Sequence, residues 1–213
     1  MLVRDGAEGL EVFMIRRSLS LVFAGGAHVF PGGAVDDADR EMGGEASLAF
    51  KVAAVRECFE EAGFLLAVDG TGDVVRLDDP TTAERFSAYR WAIASGDTSL
   101  AEMCATEGLR LDLDRMDYVS RWITPEGAPR RFDTRFFVCA APERQTPLHD
   151  ATETIAHEWV RPVDMLDRHT DGGVDLMLPT QRSLQWLHEH DSTHAVLAAA
   201  AAAATPEGNY QRG

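Results

Sequence analysis

Basic side chains are scarce in this sequence. Twenty lysines and arginines stand against 35 aspartates and glutamates over 213 residues, a formal net charge of −15. A surface of that sign repels a long polyanion, so nucleic acid and anionic membrane are disfavoured partners unless a local basic stripe intervenes. Cysteine is sparse too. Cys58, Cys104 and Cys139 are odd in number, far apart and without a C-x-x-C pair, which argues against a disulfide framework and against a structural zinc site. Reduced, buried thiols are the expectation. No apolar run approaches the ~20 residues of a membrane helix, and Arg4 and Asp5 interrupt the start before any signal-like apolar core. A cytoplasmic protein with no DNA and no membrane partner is therefore expected. There is no H-E-x-x-H spacing, and His188, His190 and His194 read as a solvent-facing helix end.

What is present is an even mixture of helical and extended patterns. Strands are predicted at residues 10–16, 29–30, 64–68, 118–123, 132–140 and 155–160. Helices are predicted at 45–62, 81–95, 99–107, 162–167, 181–190 and 193–204. The acidic, glycine-punctuated stretch 36–44 reads as a loop, and Gly63 stands where a helix end favours glycine. No repeat and no dividing linker is visible. These features predict an α/β (α+β) protein of one domain over residues 1–213, in α+β or α/β/α layers, with helices near 80–108 and a helical tail near 180–204.

The chemistry is concentrated in residues 30–64. At ~100° per residue, Glu57, Glu60 and Glu61 share one arc of a helix, while Val52, Val55, Cys58, Phe59 and Ala62 gather on the other side. Crowded carboxylates cost roughly 0.2–0.5 kcal/mol per i,i+3 or i,i+4 pair. They also occupy the negative end of the helix dipole. Both effects oppose the arrangement, and a hard dication bound among the acids reverses them. A solvated acidic face is the rival reading of a bare E-x-x-E-E.

The surroundings decide between them. Arg56-Glu57-Cys58-Phe59-Glu60-Glu61-Ala62-Gly63-Phe64 follows Phe30-Pro31-Gly32-Gly33, and together they resemble the signature of the Nudix hydrolase family. The resemblance implies a Nudix fold, a mixed β-sheet sandwiched between α-helices, with the helices near 80–108 as an insertion, a hydrolase acting on phosphoanhydrides, and Mg²⁺ (or Mn²⁺) as cofactor. It makes Glu57, Glu60 and Glu61 metal ligands, with the Gly33 carbonyl a further one, and gives Glu57 and Glu60 catalytic roles. Arg56, Gly32 and Gly63 become structural residues of the motif. Glu153, ahead of the Glu158-Trp159 pair, is the candidate distal ligand or general base. One feature departs from the pattern. The stretch between Gly33 and Arg56 is longer than the common box, and the first box glutamate falls on Leu48. Glu45 or an aspartate from 36–39 is expected to replace it.

Long-box members of the family include relatives of coenzyme A diphosphatases, and Arg17-Ser18, Gly26 and Phe30-Pro31-Gly32-Gly33 match the spacing of a coenzyme A-hydrolysing subgroup, with Val22 in place of an arginine. Arg131 and Arg135, which share one face of a strand, join Arg17 as candidate substrate-binding residues. The resemblance implies a small phosphorylated partner, coenzyme A or acyl-CoA, cleaved to 3′,5′-ADP and (acyl-)phosphopantetheine. The alternatives are an ADP-ribose or nucleotide-sugar diphosphatase and a non-catalytic ligand-binding domain. A homodimer is compatible with the extra helices.

Overall fold

The computed structural model describes residues 1–18, 25–127, 130–147, 154–203 and 210–212. In chain order the elements are β1 (Leu2–Gly6), β2 (Gly9–Arg17), β3 (His28–Val29), α1 (Asp37–Gly43), α2 (Ala46–Ala62), β4 (Ala67–Val68), α3 (Pro80–Ser95), α4 (Leu100–Glu107) and β5 (Arg110–Leu111). A 3-10 turn at Leu113–Arg115 leads to β6 (Asp117–Ile123), β7 (Asp133–Ala140), β8 (Thr154–Val160), α5 (Pro162–Thr170), α6 (Leu178–His188), α7 (Thr193–Ala203) and β9 (Tyr210–Arg212). The content is mixed α+β, as expected. Two compact units divide the chain: Met1–Phe30, Arg115–Ala140 and Glu158–Gly213 form one, Pro31–Asp114 and Ala141–His157 the other.

The first unit carries a mixed sheet in the order β3-β2-β1-β7-β6-β9, with β8 also pairing to β2. The unpredicted β1 turns back on β2 through the register Val3↔Val12 and Gly6↔Gly9, and β7 joins β1 in parallel. Val12, Phe13, Met14 and Ile15 are all fully buried, so the middle of β2 has no polar face, as a strand covered on both sides requires. Val3, Leu10, Val12 and Met14 form a core with Met165 of α5, Leu184 and Leu187 of α6, and Val196 and Ala200 of α7. The alanine-rich α7 thus earns its place by packing as well as by propensity.

The second unit is mainly helical. Ala49, Val52, Val55, Cys58, Phe59 and Ala62 bury the apolar face of α2, and Phe59 meets Phe86 of α3 edge-to-face at 6.5 Å. Gly63, at φ 75°, adopts the left-handed conformation and returns its N–H to the Phe59 carbonyl. Residues 36–44 are not the loop the sequence suggests. Asp36 and Asp39 bond each other's backbone N–H groups in a capping box that starts α1. The strand expected at 64–68 shortens to Ala67–Val68 because the Gln145 side chain bonds both the N–H and the C=O of Leu65, which satisfies that backbone without a partner strand. Ser99 caps α4. Among the described residues no helix is long and apolar enough to cross a membrane.

Candidate active site

The last two turns of α2 carry Arg56, Glu57, Glu60 and Glu61, and the glycine loop after β3 lies against them. Glu61 is buried, and its Oε2 accepts the Gly32 N–H at 2.8 Å. A Cβ on Gly33 would overlap the Glu57 carboxylate, so glycine lets the loop lie against the helix without displacing that carboxylate. Gly32 meets the helix through its N–H, and Gly33 through its lack of a side chain.

Arg56 is the organising residue. Its Nε and Nη2 bond Asp39 Oδ1 and Oδ2 at 3.0 and 2.9 Å, and Nη2 also donates to the Ala34 carbonyl at 2.8 Å. Its Nη1 reaches Glu57 at 3.0 Å and Glu60 at 3.3 Å. Asp39 is only 2% exposed. A buried carboxylate needs such pairing, and the planar fork of arginine supplies it twice over. Asp39 is thus the acid that braces Arg56, and Glu45, exposed at the α2 N-terminus and without a side-chain capping bond, is not.

Electrostatics at the site are uneven. Burial pushes the pKa of Glu57 up, and Glu60 adds to the rise while Arg56 opposes it. Burial likewise raises Glu60 against the pull of Arg56. Burial works against the charge on Arg56 too, but the Asp39 hydrogen bond and the charges of Glu57, Asp39 and Glu60 outweigh it and raise its pKa well above the ordinary arginine value. One guanidinium therefore leaves the neighbouring glutamates short of positive charge.

Among the described residues no three histidine, cysteine, aspartate or glutamate side chains converge as they stand on a point that would hold an ion. Glu57 and Glu60 lean toward Arg56, and Glu61 toward Gly32. The donor set nonetheless fits a hard dication. It is all oxygen, it lies on one helical arc beside a glycine loop, and two of its members are disfavoured as anions where they stand.

The other candidates lie elsewhere in the chain. Glu153 falls outside the described residues. Arg17, Arg131 and Arg135 belong to the first unit. Arg17 ends β2, and its Nε is buried with no hydrogen-bond partner among the described residues. Because β7 begins at Asp133, strand alternation does not extend to Arg131, and the expected common face with Arg135 is not formed by it; Arg131 instead donates to the Thr124 carbonyl at 3.2 Å. Arg135 faces Arg121 across the ladder, and Arg121 holds Asp133 at 2.6 Å. The Glu158-Trp159 pair serves its own unit. Arg168 bonds Glu158 at 2.8 and 3.1 Å and His28 sits at 3.4 Å. The His28 bond, then Arg168, overcome the burial and lower the Glu158 pKa to about 2.

Comparison with known proteins identifies the family. The family profile described as the NUDT19 Nudix domain matches residues 42–185. Human acyl-coenzyme A diphosphatase NUDT19 is 28% identical, with 73% of this chain and 54% of that protein covered. Putative nudix hydrolase 7 of Caenorhabditis elegans is 30% identical, with 79% and 52% covered. The chain thus spans about half the length of these curated relatives. A crystal structure of a NUDIX hydrolase from Alicyclobacillus acidocaldarius superposes with a TM-score of 0.82 at 30% identity, covering 92% of both chains. With its glycine loop, its acidic helix and a profile match over most of its length, the chain belongs to the Nudix hydrolase family, in the group defined by the NUDT19 Nudix domain.

Proposed function

We propose that this protein hydrolyses the diphosphate of coenzyme A or an acyl-CoA, giving 3′,5′-ADP and (acyl-)phosphopantetheine, with Mg²⁺ or Mn²⁺ as cofactor. The observation that carries the reaction class is the set of Glu57, Glu60 and Glu61 on the end of α2, braced by Arg56 and pressed against Gly32 and Gly33. The substrate reading is supported by the name of the human relative, an acyl-coenzyme A diphosphatase.

Glu57, Glu60 and Glu61, with the Gly33 carbonyl, are the groups that would hold the metal. Bound there, a dication supplies charge neutralisation of the diphosphate and acidifies a water molecule. The chain's own residues do the rest. Arg56 keeps Glu57 and Glu60 from splaying apart, Asp39 fixes the plane of Arg56, and Glu153 accepts the proton of the attacking water. Arg17, Arg131 and Arg135 are proposed as cations for the phosphates of the substrate.

Incubation of the purified chain with Mn²⁺ and a panel of CoA, acyl-CoA, ADP-ribose, NADH and dinucleoside polyphosphates tests this reading. Release of 3′,5′-ADP from CoA or acyl-CoA, ahead of turnover of the others, is the expected result. Preference for ADP-ribose or a nucleotide sugar would replace the substrate, and no turnover by folded, metal-loaded protein would leave a binding domain.

A further inference from the structure

The insertion helix α3 turns a stripe of residues inward. Phe86, Arg90 and Ile93 are its buried positions, spaced four and three apart as one helical face requires. Phe86 and Ile93 suit such a stripe. Arg90, only 4% exposed, does not, because an arginine is rarely buried without a specific partner.

One partner lies thirty positions away in sequence. Arg90 Nε donates to the main-chain carbonyl of Glu60 at 2.7 Å. That carbonyl belongs to the last turn of α2, whose final four carbonyls have no acceptor role left within the helix. The same turn contains Glu60 and Glu61 and no basic residue. Two anions thus stand at the end of the helix that already carries partial negative charge. A guanidinium bonded to the helix end offsets both, and α2 obtains it from α3 instead of from its own sequence.

From this geometry we propose that Arg90 is a positioning residue for the acidic cluster. By holding the Glu60 carbonyl it fixes the last turn of α2, and with it the directions in which Glu60 and Glu61 present their carboxylates. The proposal rests on the reading of Glu57, Glu60 and Glu61 as metal ligands. It also gives α3 a function: the helix reaches the site through a buried bond to the backbone. Residues that orient metal ligands from behind typically change metal affinity or activity by about 10–100-fold when removed.

The test compares Arg90→Met, Arg90→Lys and Phe86→Leu in the full chain, with Glu60→Gln as the reference for losing a ligand. Mn²⁺ affinity is read by calorimetry on protein shown to be folded, alongside thermal midpoint, kcat and KM on the substrate that the panel selects. Arg90→Met is expected to weaken Mn²⁺ binding by about 10-fold and to lower kcat more than it raises KM. Arg90→Lys, which restores a donor and a charge, is expected to recover part of both. Phe86→Leu should lower the midpoint and leave Mn²⁺ affinity unchanged, as a purely packing role predicts for Arg90 as well. If Arg90→Met does not fold, Arg90→Lys decides: Mn²⁺ binding at least threefold weaker than wild type supports the assignment, and wild-type affinity overturns it. Wild-type affinity in folded Arg90→Met, with Glu60→Gln impaired, overturns the role of Arg90 alone. Unimpaired binding in Glu60→Gln removes the ligand set, and the Arg90 assignment falls with it.

Discussion

Arg56 and Asp39 are joined by two parallel hydrogen bonds, Nε to Oδ1 at 3.0 Å and Nη2 to Oδ2 at 2.9 Å, and both side chains are almost wholly buried. They lie seventeen positions apart in sequence, and the two helices they join, α1 and α2, are held in one arrangement by this pair. Everything that Arg56 does for Glu57 and Glu60 depends on its plane, and Asp39 sets that plane.

Removing one partner of such a pair leaves the other buried and uncompensated. Asp39→Ala is expected to destabilise the protein by roughly 3–5 kcal/mol and to reduce turnover in whatever fraction folds. Urea denaturation measures the first effect. A loss below about 1 kcal/mol, the level of an exposed ion pair, would show that Asp39 is not a buried brace.

Gly33→Ala should separate activity from stability. The added methyl meets only the flexible end of Glu57, so the fold can yield by moving that carboxylate. Turnover is expected to fall by an order of magnitude or more, since small misplacements of positioned groups are costly, while the thermal midpoint barely changes. Unaltered kinetics would mean that the position of Glu57 is not critical.

Glu57 also gives a signed dependence on pH. Its folded-state pKa lies above the unfolded value, chiefly through burial, so the folded protein holds the proton more tightly. The stability this contributes is present below the unfolded value and is lost as pH rises through the folded one. Without metal, Glu57→Gln should therefore gain on wild type as pH rises from about 4 toward neutrality. Denaturation of both proteins in chelator at several pH values checks this. A difference that is flat, or runs the other way, contradicts the assigned burial.

Glu158 runs in the opposite sense. Its pKa is lowered to about 2 by His28 and then Arg168, so its contribution is present above the unfolded carboxylate value and is lost as pH falls toward 2. Glu158→Gln should abolish this acid-side loss and cost stability at neutral pH. Equal acid midpoints for mutant and wild type would remove the His28–Glu158–Arg168 cluster as a stabilising element.

Much of this was legible in the residues themselves. The 3.6-residue period of α2, its stop at Gly63 and the common arc of Glu57, Glu60 and Glu61 follow from sequence, because helix geometry is local. Asp39 was only one of several acids in contention. The capping box Asp36-x-x-Asp39 uses aspartate at both positions, so an acidic segment bounded by glycines looked like a loop. Arg90 gave no usable signal, since its partner is a main-chain carbonyl in a different helix. The short strands β4 and β5, two residues each, are set by tertiary pairing that no local pattern announces. Arg131 failed as a strand residue for a related reason: where β7 starts is decided by its pairing with β6.

The central claim is that the acids at the end of α2 exist to hold a dication. Electron paramagnetic resonance of free Mn²⁺, titrated into wild type, Glu57→Gln and Glu60→Gln, addresses it without reference to any substrate. Saturable binding by wild type that weakens by about 10-fold or more in each variant is the result expected, since even an outer partner of a metal ligand is worth that much. Equal Mn²⁺ binding by all three proteins, or none by wild type, would contradict it.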